Sequence, residues 1–151
     1  MWTSATARTC GARVKKYLLD TKVVSELRKP KPHGGVLAWL KELKDEQIFL
    51  SAVTFGELQR VIERTRAQNR IKAEEIESWV ERLAGTSQIL PMDTNCFREW
   101  ARLMEGKQEH LLEDAMIAAT ARTHGLVVAT RNDKDFAQLN VPVENPFRVE
   151  V

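Results

Sequence analysis

Residues 16–21 read KYLLDT, a short apolar run that ends on a carboxylate. The run is too short for a helix and meets a polar break at once. It therefore predicts a buried strand whose last residue, Asp20, projects from the strand's carboxyl end. In an open α/β sheet, binding sites are built at this edge. LVVAT at residues 126–130 repeats the construction and leads into the turn RND at residues 131–133. The two strand ends together predict an acidic cluster.

Outward from these two stretches, strand and helix patterns alternate. Further strands are predicted at 48–53, 88–92 and, weakly, 141–144. Helical periodicity covers 22–28, 34–43, 54–62, 71–84, 94–104 and 111–123, with Gly85 and Gly125 as C-terminal stops. Strands that alternate with helices indicate a parallel sheet covered on both faces, an α/β sandwich.

Composition sets loose bounds on the function. The chain has 151 residues, enough for one domain, and a formal charge of +2, which does not mark a polyanion-binding protein. Cys10 and Cys96 lack metal-ligand spacing and form no disulfide framework, so we expect a reduced, cytoplasmic protein. No apolar run approaches the roughly 18 residues of a membrane span.

Residues 1–13 differ from the rest of the chain. They carry Arg, Ser and Thr but no acid, as a transit peptide does, yet they are short and show no amphipathic stripe. We interpret them as an N-terminal extension, expected to be disordered, and predict a single domain over residues 14–151.

Two of the candidate acids also have ordinary structural interpretations. Asp20 is placed to cap the helix that follows it. Thr54 with Glu57 three residues later has the spacing of a capping box, in which the Glu57 side chain would serve only the helix start. The sequence leaves both interpretations open.

Asp114 is the most informative acid. Its helical neighbours are Leu111, Ala118 and Ala121, so its carboxylate shares the small apolar face that should press against the sheet. An ionised carboxylate there is costly unless a cation or hydrogen-bond donors meet it. A structural salt bridge is the alternative to a functional site.

The turn after the second strand carries Asn132, Asp133 and Asp135, which are also ordinary turn residues. Taken together, acids at two strand ends, a helix start and a helix face predict a shared edge. Several carboxylates in one pocket repel each other unless a cation intervenes, and hard oxygen ligands suit Mg²⁺ or Mn²⁺. The sequence contains no HExxH zinc motif, phosphate-binding loop or nucleophile elbow.

From about Lys16 to Phe147 the chain resembles the PIN-domain ribonucleases, specifically the VapC/FitB-like toxins of toxin–antitoxin pairs. The segments that carry the resemblance are YLLDTKVVSELRKP, LSAVTFGELQRVIER, ILPMDT, LLEDAMIAATARTHGLVVATRNDKDF and VPVENPF. Their order and spacing are specific, although each alone is weak. The resemblance implies a PIN-domain three-layer α/β/α sandwich with a central five-stranded parallel sheet. It also places Asp20, Glu57 and Asp114 at the three invariant acid positions of the family.

Two positions depart from the family pattern. The fourth acid position falls at Asn132, with Asp133 and Asp135 close behind, so which of them helps to bind a metal is open. Lys22 stands where relatives commonly have Asn. A cation so near Asp20 is expected either to compete with a metal ion or to contact phosphate.

The predicted activity is metal-dependent cleavage of RNA. Asp20 and Asp114 are expected to hold Mg²⁺ or Mn²⁺, with Glu57 and Asn132 or Asp133 completing the catalytic set around an activated water. Thr21, Thr130 and Arg131 are expected to contact phosphate. The alternatives are a catalytically weak interaction protein with the same fold, and a DNA nuclease or phosphatase using the same acidic cage.

The resemblance also implies partners: a homodimer, a cognate VapB-like antitoxin that blocks the site, and promoter DNA bound only through the antitoxin. The near-neutral net charge agrees with the last of these.

Overall fold

The central sheet contains five parallel strands in the order β3-β2-β1-β4-β5. The computed structural model describes residues 14–148, so the predicted extension at residues 1–13 lies outside the described residues. The strands are β1 (Tyr17–Leu19), β2 (Ile48–Ser51), β3 (Gln88–Leu90), β4 (Val127–Ala129) and β5 (Val143–Glu144). β1 lies at the centre, and its Leu19 pairs with Leu50 of β2 and with Ala129 of β4.

Seven α-helices connect and cover the strands over the part of the chain that the structure describes. They are α1 (Thr21–Glu26), α2 (Gly34–Lys41), α3 (Ala52–Arg66), α4 (Arg70–Thr86), α5 (Thr94–Met104), α6 (Leu112–His124) and α7 (Asp133–Ala137). None of these helices has the length and apolar character needed to cross a membrane.

Two hydrophobic cores lie on opposite faces of the sheet. Tyr17 and Leu19 of β1 face the core built from α1 to α4, and Leu18 faces the core built from α6 and α7. This alternation is the pattern of a strand that is buried on both faces. The predicted three-layer α/β/α sandwich with five parallel strands is therefore confirmed.

Element ends differ from the sequence prediction in two places that matter. The capping-box interpretation of Thr54 and Glu57 is wrong, because α3 begins at Ala52 and its cap is Ser51, whose hydroxyl accepts from the backbone N–H of Val53 at 3.0 Å. The helix α4 continues through Gly85 to Thr86. By contrast, α6 ends as predicted at Gly125, which adopts the left-handed conformation with φ of 68°.

Candidate active site

Asp20 is fixed at the carboxyl end of the central strand. Its backbone N–H donates to the carbonyl oxygen of Ala129 at 2.9 Å, which continues the ladder between β1 and β4 by one residue. The side chain is only 3% exposed. Oδ1 accepts from the N–H of Thr21 at 2.8 Å, and Oδ2 accepts from Oγ1 of Thr130 at 2.9 Å. Asp20 therefore caps α1 with one oxygen and is oriented from β4 through the other.

Glu57 enters the site from α3 and is held there by hydroxyl groups. Thr21 donates its hydroxyl proton to Oε1 of Glu57. The Oγ1 atoms of Thr21 and Thr54 lie 2.9 Å apart, and since Thr21 has a single proton to give, Thr54 must donate to Thr21. Thr54 is fully buried, so this chain of hydroxyl groups fixes the position of Glu57 against the end of β1.

Asp114 enters the site from the first turn of α6. Its helical neighbours Leu111, Ala118 and Ala121 are buried as predicted, but Asp114 itself is only half-buried because it stands where the helix face meets solvent. Asp114 forms no salt bridge with any residue between 14 and 148. A structural ion pair therefore does not explain this carboxylate.

These three carboxylates line one cleft of about 330 Å³. They come from the end of β1, from α3 and from α6, so the sheet order brings together residues far apart in sequence. The remaining lining residues supply hydroxyl groups and charges: Thr21, Lys22, Ser25, Glu26, Lys29 and Arg131.

Three carboxyl groups of the cleft have raised pKa values. Burial raises the pKa of Asp114 to about 6, and the negative charges of Asp20 and Asp135 add to the effect. Burial likewise raises the pKa of Glu57 to about 7, helped by the neighbouring carboxyl group of Glu113. Burial also raises the pKa of Asp20, although its hydrogen bonds from Thr130 and Thr21 oppose the change. Unlike Glu26, whose pKa is lowered by its contact with Lys29, these three carboxylates lack sufficient positive charge when ionised, which is the electrostatic setting of a cation-binding site.

The other predicted residues divide into two groups. Arg131 lines the cleft. Thr130 is fully buried; its hydroxyl donates to Asp20 and accepts from the backbone N–H of Asn132 at 2.9 Å, and its predicted phosphate contact stays a prediction.

The turn at the end of β4 places its acids differently. Asn132 precedes α7 as its N-cap residue and contacts Thr130 through its backbone. Asp133 turns to Arg148, with a carboxylate oxygen 3.2 Å from the guanidinium. Asp135 is close enough to Asp114 to raise the pKa of that carboxyl group. Of the two acids of this turn, Asp135 therefore has its charge near Asp114, whereas Asp133 is paired with Arg148.

Sequence reasoning missed two acids at the site. Glu113 lies beside Glu57 and is 3.5 Å from Arg60. Glu26 is 6% exposed and lies in the wall of the cleft. The sequence carried a signal only for Glu113, which adjoins Asp114; Glu26 lies at the end of α1, the helix that Asp20 caps.

The donor set suits a hard divalent cation. As they stand, no three Asp, Glu, His or Cys side chains within residues 14–148 lie close enough to bind one ion together. Mg²⁺, however, is commonly bound by one or two carboxylates, with water and substrate phosphate completing its shell. Asp20 and Asp114 fit that requirement, because both are carboxylates of the same cleft and both have raised pKa values.

A larger cleft of about 500 Å³ lies on the other side of α1 and is mainly apolar. Leu27, Leu40, Leu50 and Leu83 are among its lining residues, and none of the three site carboxylates contributes to it. Its size does not make it the reactive site, since its ionisable lining residues, Asp45 and Glu46, are both exposed to solvent. We call it the apolar cleft, and the one that holds Asp20 the acidic cleft.

Comparison with known proteins identifies the family of this fold. Residues 17–142 match the sequence profile of the PIN domain. The chain is 37% identical over 141 residues to the VapC ribonuclease Y4jK of Sinorhizobium fredii, covering 86% of this chain and 96% of the relative. It is 36% identical over 137 residues to toxin FitB of Neisseria gonorrhoeae, covering 86% and 97%.

Solved structures of toxin complexes superpose on this chain. The crystal structure of FitAcB from Neisseria gonorrhoeae superposes with a TM-score of 0.76 at 36% identity, covering 88% of this chain and 99% of that one. The structure of FitAB bound to the IR36 DNA fragment superposes with a TM-score of 0.70 at 34% identity, covering 89% and 98%. This chain therefore belongs to the PIN-domain family. Within that family it is similar to the VapC ribonuclease and FitB toxin, as the sequence resemblance predicted.

Proposed function

We propose that this protein is a divalent-metal-dependent endoribonuclease and the toxin component of a VapBC-type toxin–antitoxin pair. One observation carries the proposal: Asp20, Glu57 and Asp114 come from three separate elements and line a single cleft, where all three carboxyl groups have raised pKa values. Clustered, undercompensated carboxylates of this kind are typical of metal-assisted hydrolysis. The relatives named as a VapC ribonuclease and a toxin support RNA as the substrate.

In this proposal Asp20 and Asp114 hold Mg²⁺ or Mn²⁺. The bound ion would lower the pKa of water and offset charge that develops on the scissile phosphate. Thr130 and the N–H of Thr21 fix the Asp20 carboxylate, so its orientation is set before substrate binds. Glu57, with a pKa of about 7, is suited to accept a proton at neutral pH.

The RNA backbone meets positive charge at the same cleft. Arg131 lines the cleft with its guanidinium 4.4 Å from the ring centre of Phe147, so the charge is held in place by a cation–π contact. The hydroxyl group of Thr21 donates to Glu57 and orients that side chain. We assign this orienting role to Thr21, in addition to the proposed contact with phosphate. Asn132 and Asp135 are the residues of the β4 turn that we expect to complete the site; Asp133 is paired with Arg148.

Cleavage of an RNA panel by purified Asp20→Asn and Asp114→Asn variants tests the activity. We expect each variant to lose at least about a hundredfold in rate in Mg²⁺ or Mn²⁺, because each removes a proposed metal ligand. Asp45→Asn, an exposed acid outside the acidic cleft, is the matched control and should cleave like the wild type. Equal rates for all four proteins would overturn the proposal.

The same assay separates the alternative functions. Single-stranded DNA and a phosphomonoester are added to the RNA panel, and cleavage of either in place of RNA would indicate the other enzyme class. A catalytically weak interaction protein would cleave nothing and would give no carboxylate-dependent heat when titrated with Mg²⁺.

The proposed protein partner is a VapB-like antitoxin. The similar solved structures include FitAcB and FitAB bound to a DNA fragment, so we propose an antitoxin for this chain and promoter DNA bound through it. The apolar cleft is suited to an apolar segment of such a partner, because covering it removes several leucine side chains from water. Tight promoter binding by the isolated chain would contradict this assignment.

We further propose a cytoplasmic homodimer. Phe97 and Leu112 are 46% and 37% exposed; the Phe97 ring packs edge-on against Trp100, whose indole N–H donates to the carbonyl oxygen of Leu112, so these residues place one apolar patch on α5 and α6. Such a patch suits an interface between copies. Analytical ultracentrifugation of the wild type and of Phe97→Ser tests this. If the two proteins have the same molecular mass in solution, the patch is not the dimer interface.

A further inference from the structure

The acidic cleft has a second set of charges facing its carboxylates. Its lining residues include the cations Lys22, Lys29 and Arg131. With all groups ionised, the lining carries four carboxylates and three cations, so one divalent ion would leave a single positive charge in excess. A single phosphodiester group carries the matching negative charge.

Two of these cations already have partners. Nζ of Lys29 lies 2.9 Å from Oε1 of Glu26, whose other oxygen accepts from the N–H of His33 at 2.9 Å. Arg131 rests over Phe147, whose ring packs edge-on against the His33 ring at 5.2 Å. Both contacts fix their cation in the wall of the cleft.

Lys22 is different. It is exposed at the mouth of the cleft and forms no salt bridge with any residue of the described range 14–148. It lies in the first turn of α1, where a cation opposes the helix dipole, so local helix stability does not explain a lysine here. Its flexible stem lets the ammonium reach across the mouth of the cleft.

The positive charge of Lys22 also affects the binding of a metal ion at the carboxylates of the cleft. Lys22 lines the same cleft as the carboxylates of Asp20 and Asp114, so its positive charge opposes the binding of a divalent ion there. It also retains hydrogen-bonding capacity for an anion from solvent.

We propose that Lys22 binds a backbone phosphate of the RNA at the acidic cleft, opposite the carboxylates. The assignment rests on the proposed ribonuclease function and adds a substrate-binding residue to it. It has two consequences of opposite sign: Lys22 strengthens RNA binding and weakens the binding of the divalent ion.

The test measures two binding reactions of the full chain. One is the binding of a short fluorescein-labelled single-stranded RNA in EDTA, and the other is the binding of Mg²⁺ without RNA. Fluorescence anisotropy across a salt series should give Lys22→Gln about threefold weaker RNA binding at low salt. Its log–log salt slope should also be shallower by about 0.7, the value of one lost phosphate contact on a single strand. Calorimetric titration should give Lys22→Gln about threefold tighter Mg²⁺ binding, because a nearby positive charge is gone.

Two further variants exclude a general charge effect. Lys22→Arg should keep the wild-type salt slope, and Lys41→Gln, an exposed lysine outside the cleft, should match the wild type in both measurements. An unchanged slope in Lys22→Gln, a loss equal to that of Lys41→Gln, or no RNA binding by the wild type would overturn the proposal.

The outcome is separable from that of the ribonuclease proposal. A wild type that cleaves RNA while Lys22→Gln keeps the full salt slope contradicts only the role of Lys22. A wild type that binds RNA through Lys22 but cleaves none contradicts the nuclease activity instead.

Discussion

The two clefts of this protein lie on either side of one short helix and differ in almost every physical property. Val24 of α1 and Leu27, the residue after its end, line the apolar cleft, whereas Lys22, Ser25 and Glu26 of α1 line the acidic cleft. The larger cleft has about 500 Å³ and the smaller about 330 Å³, yet the smaller one holds the clustered carboxylates. We therefore propose the larger, apolar cleft for partner binding and the smaller, acidic cleft for the chemistry.

The energetic basis of the two clefts also differs. Covering apolar surface is favourable without directional contacts, so the apolar cleft can accept a partner segment by burial alone. The acidic cleft stores unfavourable interactions among its carboxylates, which a cation relieves. If this contrast is correct, mutations can remove partner binding and catalysis independently, even though both surfaces share α1.

The largest effect is expected from a charge placed in the apolar cleft. Leu83→Glu should weaken binding of the proposed VapB-like antitoxin by about a hundredfold or more, because the carboxylate would be buried without a partner. RNA cleavage should be unchanged. Affinity is measured by surface plasmon resonance, and Leu37→Glu, 39% exposed on α2 outside this cleft, is the matched control. Loss of cleavage together with binding would show that the two clefts are not separable.

A smaller effect, on RNA cleavage, is expected when the hydroxyl group that orients Asp20 is removed. Thr130→Val keeps the shape of the side chain but removes the hydroxyl that donates to Asp20 and accepts from Asn132. We expect RNA cleavage to fall about ten- to a hundredfold, the usual range for a group that orients a metal ligand. Antitoxin binding should not change.

The control for Thr130→Val is Thr120→Val. Thr120 is equally buried, but its hydroxyl donates to the carbonyl oxygen of Met116 at 2.9 Å and lies outside the acidic cleft. Chemical denaturation of both variants shows whether lost stability accounts for lost activity. Wild-type cleavage by Thr130→Val would mean that Asp20 needs no support from β4.

The acidic cleft was better predicted by the sequence than the apolar cleft was. Asp20 could be placed because a short apolar run that stops at an acid is informative by itself. Asp114 stood out because a carboxylate on an otherwise apolar helix face is costly. The apolar cleft has no such signal, since its leucines also satisfy the pattern of ordinary core positions.

What the sequence missed depends on side-chain direction. Thr130 reads as the last residue of a strand, and only the register between β1 and β4 shows that its hydroxyl meets Asp20. Likewise, Asp133 and Asp135 are equivalent turn acids in the sequence. The start of α7 turns Asp133 to Arg148 and leaves Asp135 near Asp114. Such distinctions arise from tertiary packing, which local patterns do not encode.

The smallest effect concerns the stability cost of the acidic cleft. Burial raises the pKa of Asp114 to about 6 in the folded protein, whereas an unfolded Asp titrates near 3.9. Between these values the folded state binds more protons, so the stability due to this group falls as pH rises through about 4 to 6. Asp114→Asn removes the charge. At pH 8 and without metal it should exceed the wild type in unfolding free energy by about 1 kcal/mol, after allowance for partial exposure.

The measurement is thermal unfolding from pH 4 to 8. Asp114→Asn should melt roughly 2–4 °C above the wild type at pH 8, and the gain should shrink to nothing as pH falls toward about 4. Asp45→Asn should show no gain at either pH, because that acid is exposed and outside the cleft. Added Mg²⁺ should raise the melting temperature of the wild type but not of Asp114→Asn. A variant no more stable than the wild type at pH 8 would mean that the acidic cleft stores no electrostatic cost at Asp114. The two clefts would then not differ in stored electrostatic energy in the way proposed above.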